Sequence, residues 1–195
     1  RRGYEVLIAD DDPNEERRAL AVEVGTELVA APDSTEIARL VGAVDFVAPA
    51  PGVPETHAVI TAAGERGIPV RTELDLAYEW EQTRPGGPRP MIAVTGTDGK
   101  TTTTTMVAAL LEASDRRTVA AGNTDVPLVE AIDDPDADVF AVECSSFRLN
   151  WLSSFRGEGA IWLNLAPDHQ NWHRSMDAYE RAKFNVWAHQ RATDV

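Results

Sequence analysis

The chain of 195 residues is 43% hydrophobic and carries a formal net charge of −14 at pH 7. That much apolar sequence can bury one or two ordinary cores and excludes a disordered chain; the acidic balance excludes a general nucleic-acid or anionic-membrane surface and leaves small anionic ligands at a local site. A single cysteine, Cys144, excludes a disulfide framework and zinc-ribbon spacing and fits a reducing cytoplasmic setting, and no apolar run approaches the ~20 residues that span a bilayer.

The sequence opens on Arg1-Arg2-Gly3-Tyr4 rather than methionine and runs directly into an apolar strand pattern over Tyr4 to Ala9, so a segment upstream is expected. A helix over Pro13 to Val24, a strand over Glu27 to Ala30, a helix over Ser34 to Val41 and a strand over Asp45 to Ala48 follow. That is the rhythm of a βαβ parallel sheet. Glu55 to Arg66 reads as another helix ending near Gly67, Ile68-Pro69-Val70 as a short strand, and Glu73 to Gln82 as a helix. The run Arg84-Pro85-Gly86-Gly87-Pro88-Arg89-Pro90 lacks apolar periodicity. It marks the expected boundary, with a first domain over 1–84, a linker over 85–90 and a second domain over 91–195.

Beyond it, Met91-Ile92-Ala93-Val94 is a buried-strand pattern, followed by Thr95-Gly96-Thr97-Asp98-Gly99-Lys100-Thr101-Thr102 and a helix to about Ala113. Strand, glycine loop and helix is an arrangement that binds phosphate. Val139 to Val142 and Ala160 to Leu163 read as two more strands of the same sheet, each ending in polar residues, where functional groups of α/β sheets gather. A last helix is expected from about Met176 to Gln190.

In the loop, Gly96 and Gly99 let the backbone approach a phosphate, Lys100 adds a cation, and the Thr101 hydroxyl can hold Mg²⁺. The usual spacing of such loops would place a glycine where this chain has Val94, and the bland alternative is a glycine turn before a helix. Glu143 closes a strand before Cys144-Ser145-Ser146-Phe147 and would lie beside the loop if the strands are neighbours; otherwise it is a solvated acid before a capping serine. Asp168-His169 and Trp172-His173 follow the last strand. Taken singly, His173 reads as structural and Lys183 as a surface lysine; Cys144 reads as a packed small residue rather than a nucleophile.

The loop with its shortened spacing resembles the phosphate loop of the Mur ligase family. Gly122-Asn123, Glu143-Cys144-Ser145-Ser146-Phe147-Arg148-Leu149, Asn164 with Pro167-Asp168-His169, and Tyr179-Glu180-Arg181-Ala182-Lys183 recur in that family's order. The fold this resemblance implies is α/β, a Rossmann-like N-terminal domain followed by a truncated P-loop-type ATPase domain with a mostly parallel sheet. The implied activity is ATP-dependent addition of D-glutamate to UDP-N-acetylmuramoyl-L-alanine through an acyl phosphate, by a cytoplasmic monomer, with Mg²⁺. Sister ligases of the family, a folylpolyglutamate synthase and a non-catalytic ATP-binding module are the alternatives.

The resemblance assigns ATP binding to Gly96, Thr97, Asp98, Gly99, Lys100, Thr101 and Thr102. It assigns metal binding to Thr101, Glu143, His169 and a carbamylated Lys183, and catalysis to Lys100, Lys183 and His169. Substrate contacts fall on Asn123, Ser145 and His169, and, in the uridine-nucleotide-binding first domain, on Asp10, Asp11, Pro51 and Gly52. Asp98 and Arg148 stand where the family commonly has asparagine and glutamine, a change of charge expected near phosphate or substrate. The amino-acid-binding domain is expected outside this chain, so the chain by itself should bind without turning over.

Overall fold

The computed structural model describes residues 2–195; Arg1 of the opening Arg1-Arg2-Gly3-Tyr4 lies outside the described residues. The chain divides into two compact units, one formed by residues up to Val47 with Thr56–Pro69, the other by Ala48–Glu55 with Val70–Val195.

The first unit holds β1 (Ile8–Asp10), α1 (Glu15–Glu23), β2 (Leu28–Ala30), α2 (Ser34–Val41) and α3 (Ala58–Arg66). β1 and β2 pair in parallel, Ile8 opposite Leu28 and Asp10 opposite Ala30. Each helix starts where the sequence supplies a capping acceptor: Asn14 takes the Arg17 N–H at 2.9 Å, and Asp33 takes that of Glu36 at 2.8 Å. Ile37 and Val41 of α2 and Ile60 and Ala63 of α3 form the small core. The strands expected over Asp45 to Ala48 and Ile68 to Val70 shrink to isolated bridge positions with one hydrogen bond, Val47 N–H to the Pro69 carbonyl at 2.9 Å. Pro69 has no N–H with which to continue a ladder.

The second unit begins with α4 (Glu73–Gln82), then β3 (Met91–Thr95), α5 (Lys100–Glu112), β4 (Thr118–Gly122), α6 (Leu128–Ala131), β5 (Val139–Glu143), α7 (Ser146–Leu149), β6 (Gly159–Trp162) and α8 (Met176–Phe184). Its sheet is wholly parallel in the order β4-β5-β3-β6. The inner strands β3 and β5 are almost continuously buried, as parallel strands covered on both faces require. β4 contains only one strongly strand-forming apolar residue, Val119, so the sequence alone does not mark it.

The division between units falls at Pro69, earlier than the Pro/Gly run at 84–90 that the sequence offers as a linker. α4 belongs to the second unit for concrete reasons. Leu74 and Ala77 are fully buried in its core beside Met91, Phe140 and Phe155. Asp75 closes a capping box with Thr72 and also accepts the N–H groups of Ser153, Ser154 and Phe155 at 2.9, 2.8 and 3.0 Å. Burial would raise the Asp75 pKa, but those backbone donors outweigh it and hold the carboxyl below its ordinary value. Arg89, inside the supposed linker, is buried against Glu81.

Candidate active site

The C-terminal ends of neighbouring strands build the site. Past β3 the chain turns through Gly96 to Gly99 into α5, and Gly99 takes φ +81°, a left-handed conformation that glycine adopts without cost to a side chain. At Gly96 an added Cβ would stand 3.0 Å from the Leu163 Cβ, so the loop lies flush on the segment after β6. Asn164 clasps it there: its Oδ1 accepts the N–H groups of Thr97 and Asp98, each at 3.0 Å, and its Nδ2 donates to the Asp98 carbonyl at 3.1 Å. Thr103 makes the first backbone bond of α5, to the Gly99 carbonyl at 2.9 Å. The N–H groups of Lys100, Thr101 and Thr102 are therefore left at the helix N-terminus, where the helix dipole favours an anion.

Two lysines meet at this loop. Lys100 Nζ donates to the carbonyls of Gly96 at 3.1 Å and Thr97 at 2.8 Å, while Lys183, rising from α8, donates to the same Gly96 carbonyl at 2.5 Å. Lys183 is only 1% exposed, against the sequence reading of it as a surface lysine. Burial, and then the charge of Lys100, pushes its pKa down to about 8.

Glu143 ends β5, directly opposite Val94 of β3, so the condition the sequence reading set for it is met. Its carboxylate is 2% exposed and accepts the Thr101 hydroxyl at 2.7 Å and the Asn123 amide at 3.1 Å. Asn123 is placed by Gly122, where φ is +99° and any Cβ would collide with the Glu143 carbonyl oxygen.

His169 has φ +53°, unusual for a side-chain-bearing residue. Its ring packs on Phe147 with centroids 4.7 Å apart, and its Nε2 lies 3.3 Å from Asp168. Its carbonyl accepts the N–H groups of Trp172 and His173 at 3.0 and 2.9 Å. His173 is buried, lies 2.9 Å from the Ser146 hydroxyl, and is pushed down to about 4 by burial and then by His169 and Lys183, in keeping with a structural histidine.

Among the described residues no three His, Cys, Asp or Glu side chains gather to hold a metal. The metal-compatible donors are the Thr101 hydroxyl and the Glu143 carboxylate, which suit Mg²⁺, an ion that takes one or two protein oxygens and completes its shell with water and phosphate.

The remaining predicted positions disperse. Ser145 caps α7, its hydroxyl accepting the Arg148 N–H at 3.4 Å. Pro51 and Gly52 form a turn in the stretch Ala48–Glu55. In the first unit Asp10 binds Arg17 and Asp11 lies beside His57, at 2.9 and 3.0 Å. Arg148 is half-buried, facing Glu73 at 3.7 Å. Cys144 is fully buried, and its thiol is pushed up to about 12 by that burial, as a packing residue should be. Sequence reasoning gave Asn164 and Tyr179 no role of their own. The one signal for Tyr179 was its position four residues before Lys183 on one helix face.

Residues 94–195 match the Mur ligase middle domain. A UDP-N-acetylmuramoylalanine–D-glutamate ligase of Streptomyces coelicolor is 39% identical over 194 residues, covering 95% of this chain and 39% of the relative. One from Mycolicibacterium vanbaalenii is 41% identical over 178 residues, covering 91% of this chain and 36% of its own. The chain thus spans less than half the length of these relatives. Among solved structures, the Neisseria meningitides UDP-N-acetylmuramate:L-alanyl-gamma-D-glutamyl-meso-diaminopimelate ligase superposes with a TM-score of 0.57 at 17% identity, covering 99% of this chain and 63% of that one. At that identity the likeness bears on fold alone.

Proposed function

The chain belongs to the Mur ligase family, and from that premise we propose that it is the nucleotide-handling part of an ATP-dependent ligase adding D-glutamate to UDP-N-acetylmuramoyl-L-alanine for peptidoglycan-precursor synthesis. The observation that carries the reading is the pairing of Thr101 with Glu143 at 2.7 Å beside a loop on whose first carbonyl two lysine ammonium groups converge. Such a site is built to gather negative charge.

The chemistry is transfer of the ATP γ-phosphoryl group to the alanine carboxylate, which breaks the β–γ P–O bond and forms an acyl phosphate. The D-glutamate amine then attacks the acyl carbon, phosphate leaves with the C–O bond electrons, and an amide remains. The obstacle is repulsion between the carboxylate and the phosphate oxygens. The N–H groups of Lys100, Thr101 and Thr102 bind phosphate, and Lys100 leaves the Gly96 and Thr97 carbonyls to reach it. Thr101 and Glu143 would hold Mg²⁺, which supplies charge neutralisation at the phosphate oxygens. Asn123 keeps the Glu143 carboxylate oriented.

Lys183 is the proposed site of carbamylation: its neutral amine forms an N–C bond to CO₂ and releases a proton, leaving a carboxylate where a cation stood. A pKa pushed down to about 8 supplies that neutral amine near physiological pH. His169 is the substrate-side ligand, with Asn123 and Ser145 toward the nucleotide sugar and Asp10, Asp11, Pro51 and Gly52 toward its uridine diphosphate. The same reading makes the enzyme a cytoplasmic monomer. No helix among the described residues is long and apolar enough to cross a membrane.

Phosphate release by the full-length ligase containing this chain, given ATP, Mg²⁺ and UDP-N-acetylmuramoyl-L-alanine, should depend on D-glutamate and not on L-glutamate, L-alanine, L-lysine or meso-diaminopimelate. Dependence on another amino acid would assign a sister ligase. No dependence on any would assign a binding module.

A further inference from the structure

Tyr179 stands one turn before Lys183 on α8, so the two side chains rise from the same helix face. The tyrosine is 1% exposed, and its ring touches much of the site. Lys183 Nζ lies 4.6 Å from the ring centroid, His169 approaches at 6.0 Å with the planes near perpendicular, and His173 packs at 5.1 Å. Its hydroxyl lies 3.2 Å from Thr97 Oγ1, in the phosphate loop.

Proton accounting fixes the direction of that last contact. Thr97 Oγ1 accepts the Ala166 N–H at 3.0 Å and lies 3.3 Å from the Ala166 carbonyl, which can only accept. The threonine hydroxyl has one proton and two lone pairs. It donates to the carbonyl, takes the Ala166 N–H on one lone pair, and leaves the second for the Tyr179 O–H. Tyr179 is thus the donor, and it completes the bonding of a loop residue whose backbone N–H is already held by Asn164.

We propose that Tyr179 is a positioning residue that ties Thr97 of the phosphate loop to Lys183 and His169, its hydroxyl fixing the loop and its ring face seating the lysine. The proposal rests on reading the loop as a nucleotide site, and it gives the hydroxyl and the ring separable effects. Removing the hydroxyl frees the loop but leaves Lys183 seated. Removing the ring disturbs both.

The test uses the 195-residue chain. In Tyr179→Phe, amide hydrogen exchange over Thr97 to Thr101 should quicken about three- to tenfold, and Mg·ATP affinity by titration calorimetry should fall by a similar factor, the size of one net hydrogen bond. The Lys183 side-chain methylene resonances, shifted by the tyrosine ring current, should stay in place in Tyr179→Phe and move in Tyr179→Leu. A merely structural tyrosine would instead change all readouts in step with the melting temperature. With Thr97→Val as background, adding Tyr179→Phe should change loop exchange no further; additive effects would overturn the tether. Unchanged exchange in Tyr179→Phe would overturn it as well. A wild-type chain that binds no Mg·ATP would overturn the nucleotide reading instead, and the exchange rates, which need no nucleotide, would still decide the tether.

Discussion

The second unit buries two cations in opposite ways. Arg89 meets Glu81 through Nε and Nη2, each at 2.8 Å, and gives its other donors to the carbonyls of Ile132 and Asp134 at 2.6 Å and Ala137 at 3.3 Å, so all five N–H groups are engaged. Lys183 has the Gly96 carbonyl, the face of Tyr179, and another ammonium, Lys100, on the same acceptor. A buried charge that serves the fold is neutralised and saturated. One held for chemistry is left short of partners, and its pKa moves as a result.

The sharpest way to break the contrast is to delete each charge while keeping its length. Arg89→Met leaves the Glu81 carboxylate, 2% exposed, without its counter-ion and uncovers three carbonyls. It should cost about 3–5 kcal/mol in urea unfolding of the chain, enough to unfold a marginal unit. Lys183→Met removes a desolvated cation facing another cation, and at pH 7 it should be neutral or stabilising by about 1–3 kcal/mol. Equal losses in the two variants would show that Lys183 is a structural charge like Arg89.

The two centres were not equally legible. The phosphate loop could be read because strand, glycines and helix are contiguous, and Glu143 because a buried apolar run ended in an acid at a strand end. The Arg89–Glu81 pair could not be read: it joins a helix end to a segment whose prolines and glycines look like a linker, and nothing local says that the arginine turns inward. The burial of Lys183 was equally invisible, since a helix carrying Glu180, Arg181 and Lys183 within four residues reads as a solvated face. The runs Asp45 to Ala48 and Ile68 to Val70 show the reverse error: they read as strands, yet they form only isolated bridge positions, with a proline interrupting the ladder.

The second way to sharpen the contrast is alkaline pH. Lys183 is held at about 8 in the folded chain and titrates near 10.4 when unfolded. Below 8 both states are charged, and the folded state bears the whole cost of burying the charge. Between these values the unfolded state binds more protons, so stability rises with pH. The advantage of Lys183→Met over wild type should therefore shrink from pH 7.5 to pH 10, by at most about 3 kcal/mol, when unfolding is followed at both pH values. A constant difference would mean that the lysine is not desolvated.

The smallest effect concerns a buried ionisable group that escapes the problem by staying neutral. Cys144 is fully buried, its Sγ close to the Val142 carbonyl at 3.6 Å, and its thiol is pushed up to about 12 by desolvation. At pH 8 only about one thiol in ten thousand is ionised, and even that one has no path to reagent. An aromatic disulfide reagent that modifies the urea-unfolded chain at once should leave the native chain unlabelled, reaction waiting on unfolding. Labelling then ranks the two cations independently of denaturant. Arg89→Met should speed it about tenfold for each 1.4 kcal/mol of lost stability, and Lys183→Met should leave it unchanged or slow it. Rapid labelling of the wild-type chain would mean that the end of β5 opens locally, and the comparison of buried charges would then describe a looser unit than this structure contains.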